Sequence, residues 1–173
     1  MRPPPPRAIF RIQSVGLRKL GPMTVTLQRV EKKKHARALA TLTLELARYE
    51  KLEPPSTEAL DRLSKDALKG RKIRAMLAYV AGEPVGYSVS FETYSTFQGQ
   101  RVFYLEDIFV LPDHRRKGVG AKLFLDCVRR AKKRGCCRME WQVLAWNEPA
   151  LKFYDKVGAQ KMTDWIWHRL PLG

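Results

Sequence analysis

The sequence predicts one α+β domain, in which helices flank a mixed and mostly antiparallel sheet. Two observations support this fold class. The chain has 173 residues, of which 45% are hydrophobic, and this suits a single core of ordinary size. Strand-like and helix-like apolar periods follow one another in the order β-α-α-β-β-β-α-β-α-β, which is typical of α+β folds.

The first third of the chain predicts one strand and two helices. Thr24–Val30 alternates like a strand, and residues 35–50 have the period of a helix. The apolar face of that helix carries Leu39, Leu42, Leu46 and Tyr49. A second helix begins after Pro54-Pro55, with Ser56 as its N-cap and Gly70 just past its end.

Most of the remaining chain reads as strands separated by two further helices. The predicted strands are Ile73–Ala81, Val85–Phe97, Arg101–Leu111, Cys137–Ala145 and Gln160–Leu170. Short turns join the first three, which predicts an antiparallel meander. The predicted helices are Gly118–Arg134 and Asn147–Lys156, the second of which is capped by Asn147.

Residues 1–22 differ from the rest of the chain, and we predict a basic, Pro-containing N-terminal extension there and the folded domain over residues 23–173. Met1–Pro6 is rich in proline, and such segments stay extended. The extension could be a native appendage, an overlong reading frame or an Arg-rich targeting leader. The chain carries a net charge of +16, half of it on residues 1–34. This charge fits a polyanion partner, and it equally fits a solvated surface.

The composition argues against several classes of protein. The three cysteines, Cys127, Cys136 and Cys137, lack Cys-x-x-Cys spacing, so neither a disulfide framework nor a zinc site is predicted. The three histidines fit no metal site. No apolar run approaches the roughly 20 residues that a membrane helix needs, so no membrane partner is expected. We expect a reduced, cytoplasmic setting.

A basic segment that contains glycine leaves a strand and opens a helix at Arg115-Arg116-Lys117-Gly118-Val119-Gly120. Glycine lets a ligand approach the backbone, and the first turn of a helix offers unpaired N–H groups. With the helix dipole, these groups form an anion site that suits a pyrophosphate. The segment could also be an ordinary helix start with solvated cations, because neither the dinucleotide fingerprint nor the Walker pattern is present.

Two adjacent carboxylates, Glu106 and Asp107, interrupt an otherwise apolar strand. Strict alternation puts Phe103, Leu105 and Phe109 together on one face of that strand. A buried, unpaired carboxylate is costly and has a raised pKa, which suits a general base. The alternative is that one acid is salt-bridged and the other lies near an edge.

A third segment, Trp146–Tyr154, begins a helix. Asn147 can act as its N-cap, and Phe153 fits a core position. Tyr154 could instead direct its hydroxyl to a ligand and act as an acid.

In this order and spacing, the three segments resemble the GNAT superfamily of N-acetyltransferases. Arg115-x-x-Gly118-x-Gly120 matches the superfamily's Gln/Arg-x-x-Gly-x-Gly/Ala acyl-CoA loop. Three further segments are similar to the spermidine/spermine (diamine) acetyltransferases and their thialysine-acetylating relatives: Glu45–Glu50, Tyr104–Val110 and Trp146–Pro149. The resemblance runs from about Met23 to Leu170 and implies a GNAT-like sheet.

The resemblance implies that acetyl-CoA is the acetyl donor and that no metal takes part. The acetyl and pantetheine end of the donor would be held by the backbone of Ile108, Phe109 and Val110. The pyrophosphate would be cradled by Arg115, Arg116, Lys117, Gly118, Val119, Gly120 and Ala121. Asn147 and Ala150 would touch the pantetheine arm, and Tyr154 would meet the sulfur of the cofactor.

The resemblance also implies the catalytic roles. Glu106, through a water, would be the general base, and Tyr154 would protonate the departing CoA thiolate. The amine would attack directly in a ternary complex, and a backbone N–H near Val110 would meet the oxyanion. The amine pocket would be bordered by Tyr49, Glu50, Glu106, Asp107, Glu140, Trp141 and Gln142.

The chain departs from the diamine enzymes at two places. Arg116 and Lys117 replace a glycine and an aromatic residue, and Asp164-Trp165 stands near the position of an acid that helps to line the amine pocket. We expect acetylation of a primary amine on a small molecule, either a polyamine or a thialysine- or lysine-like amino acid, by a homodimer. One alternative is a GNAT enzyme that acetylates a protein N-terminus or lysine. Another is an inactive nucleic-acid- or ribosome-associated binding module, although nucleic acid is not the expected partner.

Overall fold

The computed structural model describes residues 24–172. These residues fall into two compact units, a larger one over residues 24–142 and a smaller one over residues 143–172. The predicted extension over residues 1–22 lies outside the described residues, so that boundary stays a prediction. No helix in the described part of the chain is long and apolar enough to cross a membrane.

The larger unit is a five-stranded sheet with three helices. Its elements are β1 (Val25–Arg29), α1 (Lys33–Glu50), α2 (Thr57–Lys69), β2 (Arg74–Val80), β3 (Glu83–Ser95), β4 (Gln100–Val110), α3 (Val119–Lys133) and β5 (Met139–Trp141). The strands lie in the order β1-β2-β3-β4-β5. All neighbours are antiparallel except β4 and β5, which are parallel. The predicted α+β class and mostly antiparallel sheet are confirmed.

The predicted helix boundaries follow from local chemistry. The side chain of Ser56 accepts a hydrogen bond from the backbone N–H of Ala59 at 3.2 Å, so it caps α2 as expected. Gly70 ends α2 in the left-handed region, with φ of 61°. α1 begins at Lys33, two residues earlier than predicted.

Helices cover both faces of the sheet, which we call the α1 face and the α3 face. Leu39 and Leu42 of α1 pack with Tyr87 and Phe109 on the α1 face. Leu123 of α3 belongs to a second apolar cluster on the α3 face. Few polar side chains are buried in the described residues, and hydrogen bonds are made by the side chains of His35, Ser88, Ser90 and Asp126.

A buried ion pair anchors α3. The side chain of Asp126 is only 2% exposed, and its carboxylate accepts a hydrogen bond from Nε of Arg130 at 2.8 Å. The same guanidinium reaches across to the hydroxyl of Ser90 on β3 at 2.9 Å. The pair thus ties α3 to the sheet. The exposed Arg129 adds a second ion pair to Asp126.

β4 contains a bulge at Glu106, which corrects the predicted division of its faces. Val89 pairs with Asp107 and the next residue of β3, Ser90, pairs with Leu105, so Glu106 has no partner on β3. The extra residue switches the alternation of side chains. Leu105 therefore lies on the α3 face, whereas Asp107 and Phe109 lie on the α1 face. The prediction that Phe103, Leu105 and Phe109 share a face was wrong, because a bulge leaves no signal in the apolar period.

The last strand-like segments also differ from the prediction. β5 spans only Met139–Trp141 instead of Cys137–Ala145, because its ladder with β4 stops at Leu105, next to the bulge. Residues 160–170 do not form the predicted strand. A strand exists only through bonds to a neighbour, and no described strand pairs with these residues. Their large apolar side chains, including Trp165 and Trp167, are exposed.

The smaller unit contains one helix, α4 (Glu148–Lys156). The side chain of Asn147 accepts a hydrogen bond from the backbone N–H of Ala150 at 3.3 Å, so the predicted N-cap is confirmed. Pro149 lies in the first turn, where a missing N–H costs nothing. Gly158 follows the helix with φ of 80°.

We expect Asp126→Ala to destabilise the fold by roughly 3 kcal/mol, because it leaves Arg130 buried without its carboxylate. Arg129→Ala removes a cation from the same acid, but the Arg129 side chain is 76% exposed. That variant should cost less than about 1 kcal/mol. Urea denaturation of both variants measures the difference, and equal losses would contradict an anchoring role for the buried pair.

Candidate active site

A half-buried carboxylate, Asp107, lies on β4 near the end of α1. The bulge turns Asp107 towards the α1 face, where the hydroxyl of Tyr87 donates a hydrogen bond to it at 3.4 Å. Burial raises the pKa of Asp107 to about 7, and the negative charges of Glu106 and Glu50 add to the rise. Burial, with the nearby charge of Asp107, also holds the pKa of Tyr87 well above its usual value. Asp107 can therefore exchange a proton near neutral pH.

Two more acids surround this carboxylate. Glu50, in the last turn of α1, is half-buried, and burial raises its pKa. Glu106 is exposed at the bulge. A region with three carboxylates attracts a cation, and an ammonium group fits it in both charge and hydrogen bonding.

Arg115 connects the basic loop to this region. Its guanidinium lies 4.0 Å from the ring centroid of Tyr49 and 5.6 Å from that of Phe109. Its Nε donates a hydrogen bond to the carbonyl of Val110 at 2.9 Å. These contacts hold Tyr49 against the end of β4. The contact of Arg115 with the donor, which the resemblance implies, stays a prediction.

The loop before α3 has the backbone of an anion site. Gly118 is the N-cap of α3 in the left-handed region, with φ of 81°, and no side chain caps the first turn. Arg116 also has a positive φ, 58°, which is strained for a residue with a side chain. The side chains of Arg116 and Lys117 are exposed. A first helical turn without a side-chain cap, with two exposed cations beside it, suits a phosphate-bearing ligand.

The bulge also leaves one edge of β4 open. β5 pairs only with Phe103–Leu105, and no other described strand pairs with that edge from Glu106 to Val110. Apart from the carbonyl of Val110, which accepts from Arg115, backbone groups along this stretch could pair with an extended ligand chain. The residues implied for the acetyl and pantetheine end, Ile108, Phe109 and Val110, all lie here.

The structure brings some of the residues predicted to border the amine together and separates others. Tyr49, Glu50 and Asp107 meet on the α1 face. Glu140 pairs with Tyr104 on the same face and is bonded to Nε of Arg138 at 2.6 Å. Its neighbour Trp141 points to the α3 face, where its ring lies 5.5 Å from that of Phe124. Gln142 is exposed just past the end of β5.

Sequence reasoning missed Tyr87, which touches the central carboxylate. Tyr87 looks like one more apolar residue of β3, and only the register with Phe109 and the bulge at Glu106 brings its hydroxyl to Asp107.

The smaller unit carries the third predicted group. Tyr154 is buried in α4, and its ring lies 5.5 Å from that of Phe153. The N–H of Ala150 is bonded to Asn147 in the helix cap. The roles of Asn147, Ala150 and Tyr154 toward the donor remain predictions.

Within residues 24–172, no group of three or more His, Cys, Asp or Glu side chains is arranged to hold a metal ion. The three cysteines are free thiols, and burial raises the pKa of Cys127 above its ordinary value.

An open strand edge beside a basic helix start suits a ligand that has an extended arm and phosphate groups. Comparison with known proteins agrees. The model of the Acetyltransferase (GNAT) family matches residues 35–159. The chain belongs to the GNAT acetyltransferase family and is an N-acetyltransferase. The matched range includes parts of both units, so they form one family domain.

Two curated relatives and one solved structure illustrate these similarities. A thialysine N-epsilon-acetyltransferase of Caenorhabditis elegans is 32% identical over 129 residues, which cover 75% of this chain and 79% of the relative. An L-ornithine N5-acetyltransferase of Arabidopsis thaliana is 40% identical over 85 residues, which cover 49% of this chain and 37% of the relative. An aminoglycoside N-acetyltransferase in complex with CoA has a TM-score of 0.74 at 21% identity, covering 87% of this chain and 99% of that chain.

We expect Asp107→Asn to stabilise the protein at pH 8. The folded chain holds a proton on Asp107 up to about pH 7, whereas the unfolded chain releases it near pH 4. The free energy of unfolding therefore falls as the pH rises between these values, by on the order of 2–4 kcal/mol at pH 8. Urea denaturation should show the gain of the variant at pH 8 and little difference at pH 4. A gain that is independent of pH would contradict the raised pKa.

We expect Arg116→Gly to stabilise the fold by up to about 1 kcal/mol, because glycine adopts a positive φ without strain. The same variant should raise the KM for acetyl-CoA severalfold, because a cation beside the helix start is lost. The exposed Lys117→Gly is the matched control, since it removes a cation without relieving strain at position 116. A fall in stability of Arg116→Gly would contradict the strained backbone.

Proposed function

We propose that this chain transfers the acetyl group of acetyl-CoA to a primary amine of a small molecule, either a polyamine or a thialysine- or lysine-like amino acid. The observation that carries the proposal is Asp107, a half-buried carboxylate with a pKa of about 7, three residues before the end of β4. The named activities of the thialysine and ornithine relatives support a small amine.

Acetyl-CoA would bind along the open edge of β4. The pantetheine chain would pair with the backbone of Ile108, Phe109 and Val110, as a strand would. The pyrophosphate would meet the first turn of α3, with Arg116 and Lys117 adding charge. Asn147 and Ala150 would border the arm of the donor.

The incoming amine is an ammonium ion at neutral pH and has to lose a proton before it attacks. Sequence reasoning assigned this step to Glu106 through a water. The burial and raised pKa of Asp107 favour Asp107 as the base, because a base is most effective when its pKa lies near the working pH. In this assignment Glu106 and Glu50 supply negative charge that attracts the ammonium and keeps the pKa of Asp107 high.

The reaction is a direct transfer in a ternary complex. The proton of the ammonium goes to Asp107, and the nitrogen lone pair forms a bond to the carbonyl carbon of the thioester. A backbone N–H near Val110 stabilises the oxyanion. When the intermediate collapses, the carbon–sulfur bond breaks, and Tyr154 gives its proton to the departing CoA thiolate.

The carboxylates of Asp107, Glu106 and Glu50 favour a substrate that carries a second positive charge besides the amine that is acetylated, as in a diamine or a basic amino acid. The net charge of +16 disfavours a tetracation such as spermine, unless local acids outweigh it. We further propose a homodimer, as the resemblance implies, and a cytoplasmic setting, which the unpaired cysteines favour. A mass measurement in solution tests the homodimer.

We expect CoA release from acetyl-CoA with thialysine, lysine, ornithine or spermidine, but not with a basic peptide. Asp107→Asn should lower kcat/KM at least about 100-fold, the usual scale for losing a general base. Glu106→Gln should lower it by about tenfold or less, chiefly through KM. In the wild type, kcat/KM should rise with pH through an apparent pKa near 7, and Asp107→Asn should lack that limb.

Asp61→Asn is the matched control, because Asp61 is an exposed carboxylate on α2. It should leave kcat/KM unchanged. A large loss in Glu106→Gln with a mild loss in Asp107→Asn would return the base role to Glu106. Turnover of the peptide but of no small amine would overturn the proposed substrate class.

A further inference from the structure

A cavity of about 710 Å³ opens on the α3 face, at the end of α3 that is farther from Gly118. Its floor includes Arg74 of β2, Ser90 of β3 and Phe103 of β4. The loop after α2 and the last turn of α3 form its sides. The fifteen residues of α3 separate it by roughly 20 Å from the loop proposed for the acyl donor.

Cations from several elements converge on this cavity. Arg71 and Lys72 come from the loop after α2, and Arg101 from the start of β4. Lys133 and Arg134 come from the end of α3. Arg74 and Arg130 bring the cationic lining to seven residues, and five of these are arginines, whose planar fork matches phosphate oxygens.

The negative charge beside the cavity is already engaged. Glu92 is the acid among the described lining residues, and it pairs with Arg134 and, at 3.8 Å, with Arg101. Asp126 pairs with Arg130 behind the floor. Lys72 is paired with Asp66 outside the lining at 3.4 Å.

Three cations in the lining lack such a partner. In residues 24–172, no carboxylate lies within ion-pair distance of Arg71, Arg74 or Lys133. Arg74 is half-buried. Burial is the main cause that lowers its pKa, and the positive charge of Arg29 lowers it further. The cavity therefore carries uncompensated positive charge, and Arg74 puts part of that charge on its floor.

The C-terminal dipole of α3 accounts for cations on that helix, since Lys and Arg are favoured in a last turn. It does not account for Arg71, Arg74 and Arg101, which come from a loop and two strands and face the same space. A surface that only kept the protein soluble would spread these charges apart. The concave shape also differs from the extended stripe that suits a nucleic-acid backbone.

We propose that this cavity binds a small molecule with two or more phosphate groups, at a site separate from that of the acyl donor. The volume lies in the range of small-ligand pockets, and one or two phosphates would bridge Arg74 to Lys133. Inorganic polyphosphates and nucleoside polyphosphates share the recognised chemistry. The hydroxyl of Ser90 adds a neutral donor at the floor.

The test is calorimetric titration of the full chain with tripolyphosphate and with ATP, in the presence of saturating CoA. We expect one site for tripolyphosphate that CoA does not displace. Arg74→Gln/Lys133→Gln should weaken binding at least tenfold. The control is Arg37→Gln/Lys65→Gln, which removes two exposed cations from α1 and α2 and should change binding less than twofold.

Each other outcome has a definite meaning. Loss of binding in the presence of CoA, or equal weakening by the two double variants, would overturn the separate site. If an RNA oligonucleotide bound more tightly than tripolyphosphate, and both double variants weakened its binding equally, the proposed polyphosphate site would be wrong and the cations would form a nucleic-acid surface. Lys133→Gln alone changes an exposed side chain, so a weaker affinity in that variant cannot reflect unfolding. ATP binding that is tighter than that of tripolyphosphate would identify a nucleotide as the ligand.

Discussion

Pairing between β3 and β4 loses register at Glu106, and the arrangement of the candidate active site depends on this bulge. It turns Asp107 and Phe109 to the α1 face, so that they meet Tyr87 and the end of α1. It also comes where β5 stops pairing, which opens the edge of β4 to a ligand. A regular strand would put Asp107 on the α3 face and would let β5 continue its pairing with β4 beyond Leu105. One extra residue therefore creates both the position of Asp107 and the open edge that we propose for the donor.

This arrangement costs stability at the positions where it serves function. Asp107 is held among apolar groups and two other acids, which folding alone would avoid. Arg116 adopts a positive φ beside the helix start, where a glycine would be unstrained. The buried core on both faces, and the ion pair of Asp126 with Arg130, supply the rigidity that holds these groups in place. Strain and buried charge at a site are common where chemistry needs a tuned group.

Acidic and basic side chains are concentrated at different places in this protein, and the net charge does not show this. Three carboxylates gather at the α1 face near the end of β4, in a chain with a net charge of +16. At the other end of α3, cations gather around a cavity with little acid to offset them. An amine and a polyphosphate would thus be recognised at different places on one sheet. Local charge, not net charge, decides which ligand each site attracts.

The sequence by itself determined the fold class, most element boundaries and the residue types of the site. Caps such as Ser56 and Asn147 were predictable because they act on the backbone within a few residues. The loop proposed for the acyl donor could be singled out because its glycines and cations are consecutive. Tertiary structure alone decided that the half-buried Asp107 lies beside Tyr87 and near Glu50, that Arg115 stacks on Tyr49, and that residues 160–170 form no strand. These features depend on strand register and on contacts between residues far apart in the chain, which no local pattern encodes.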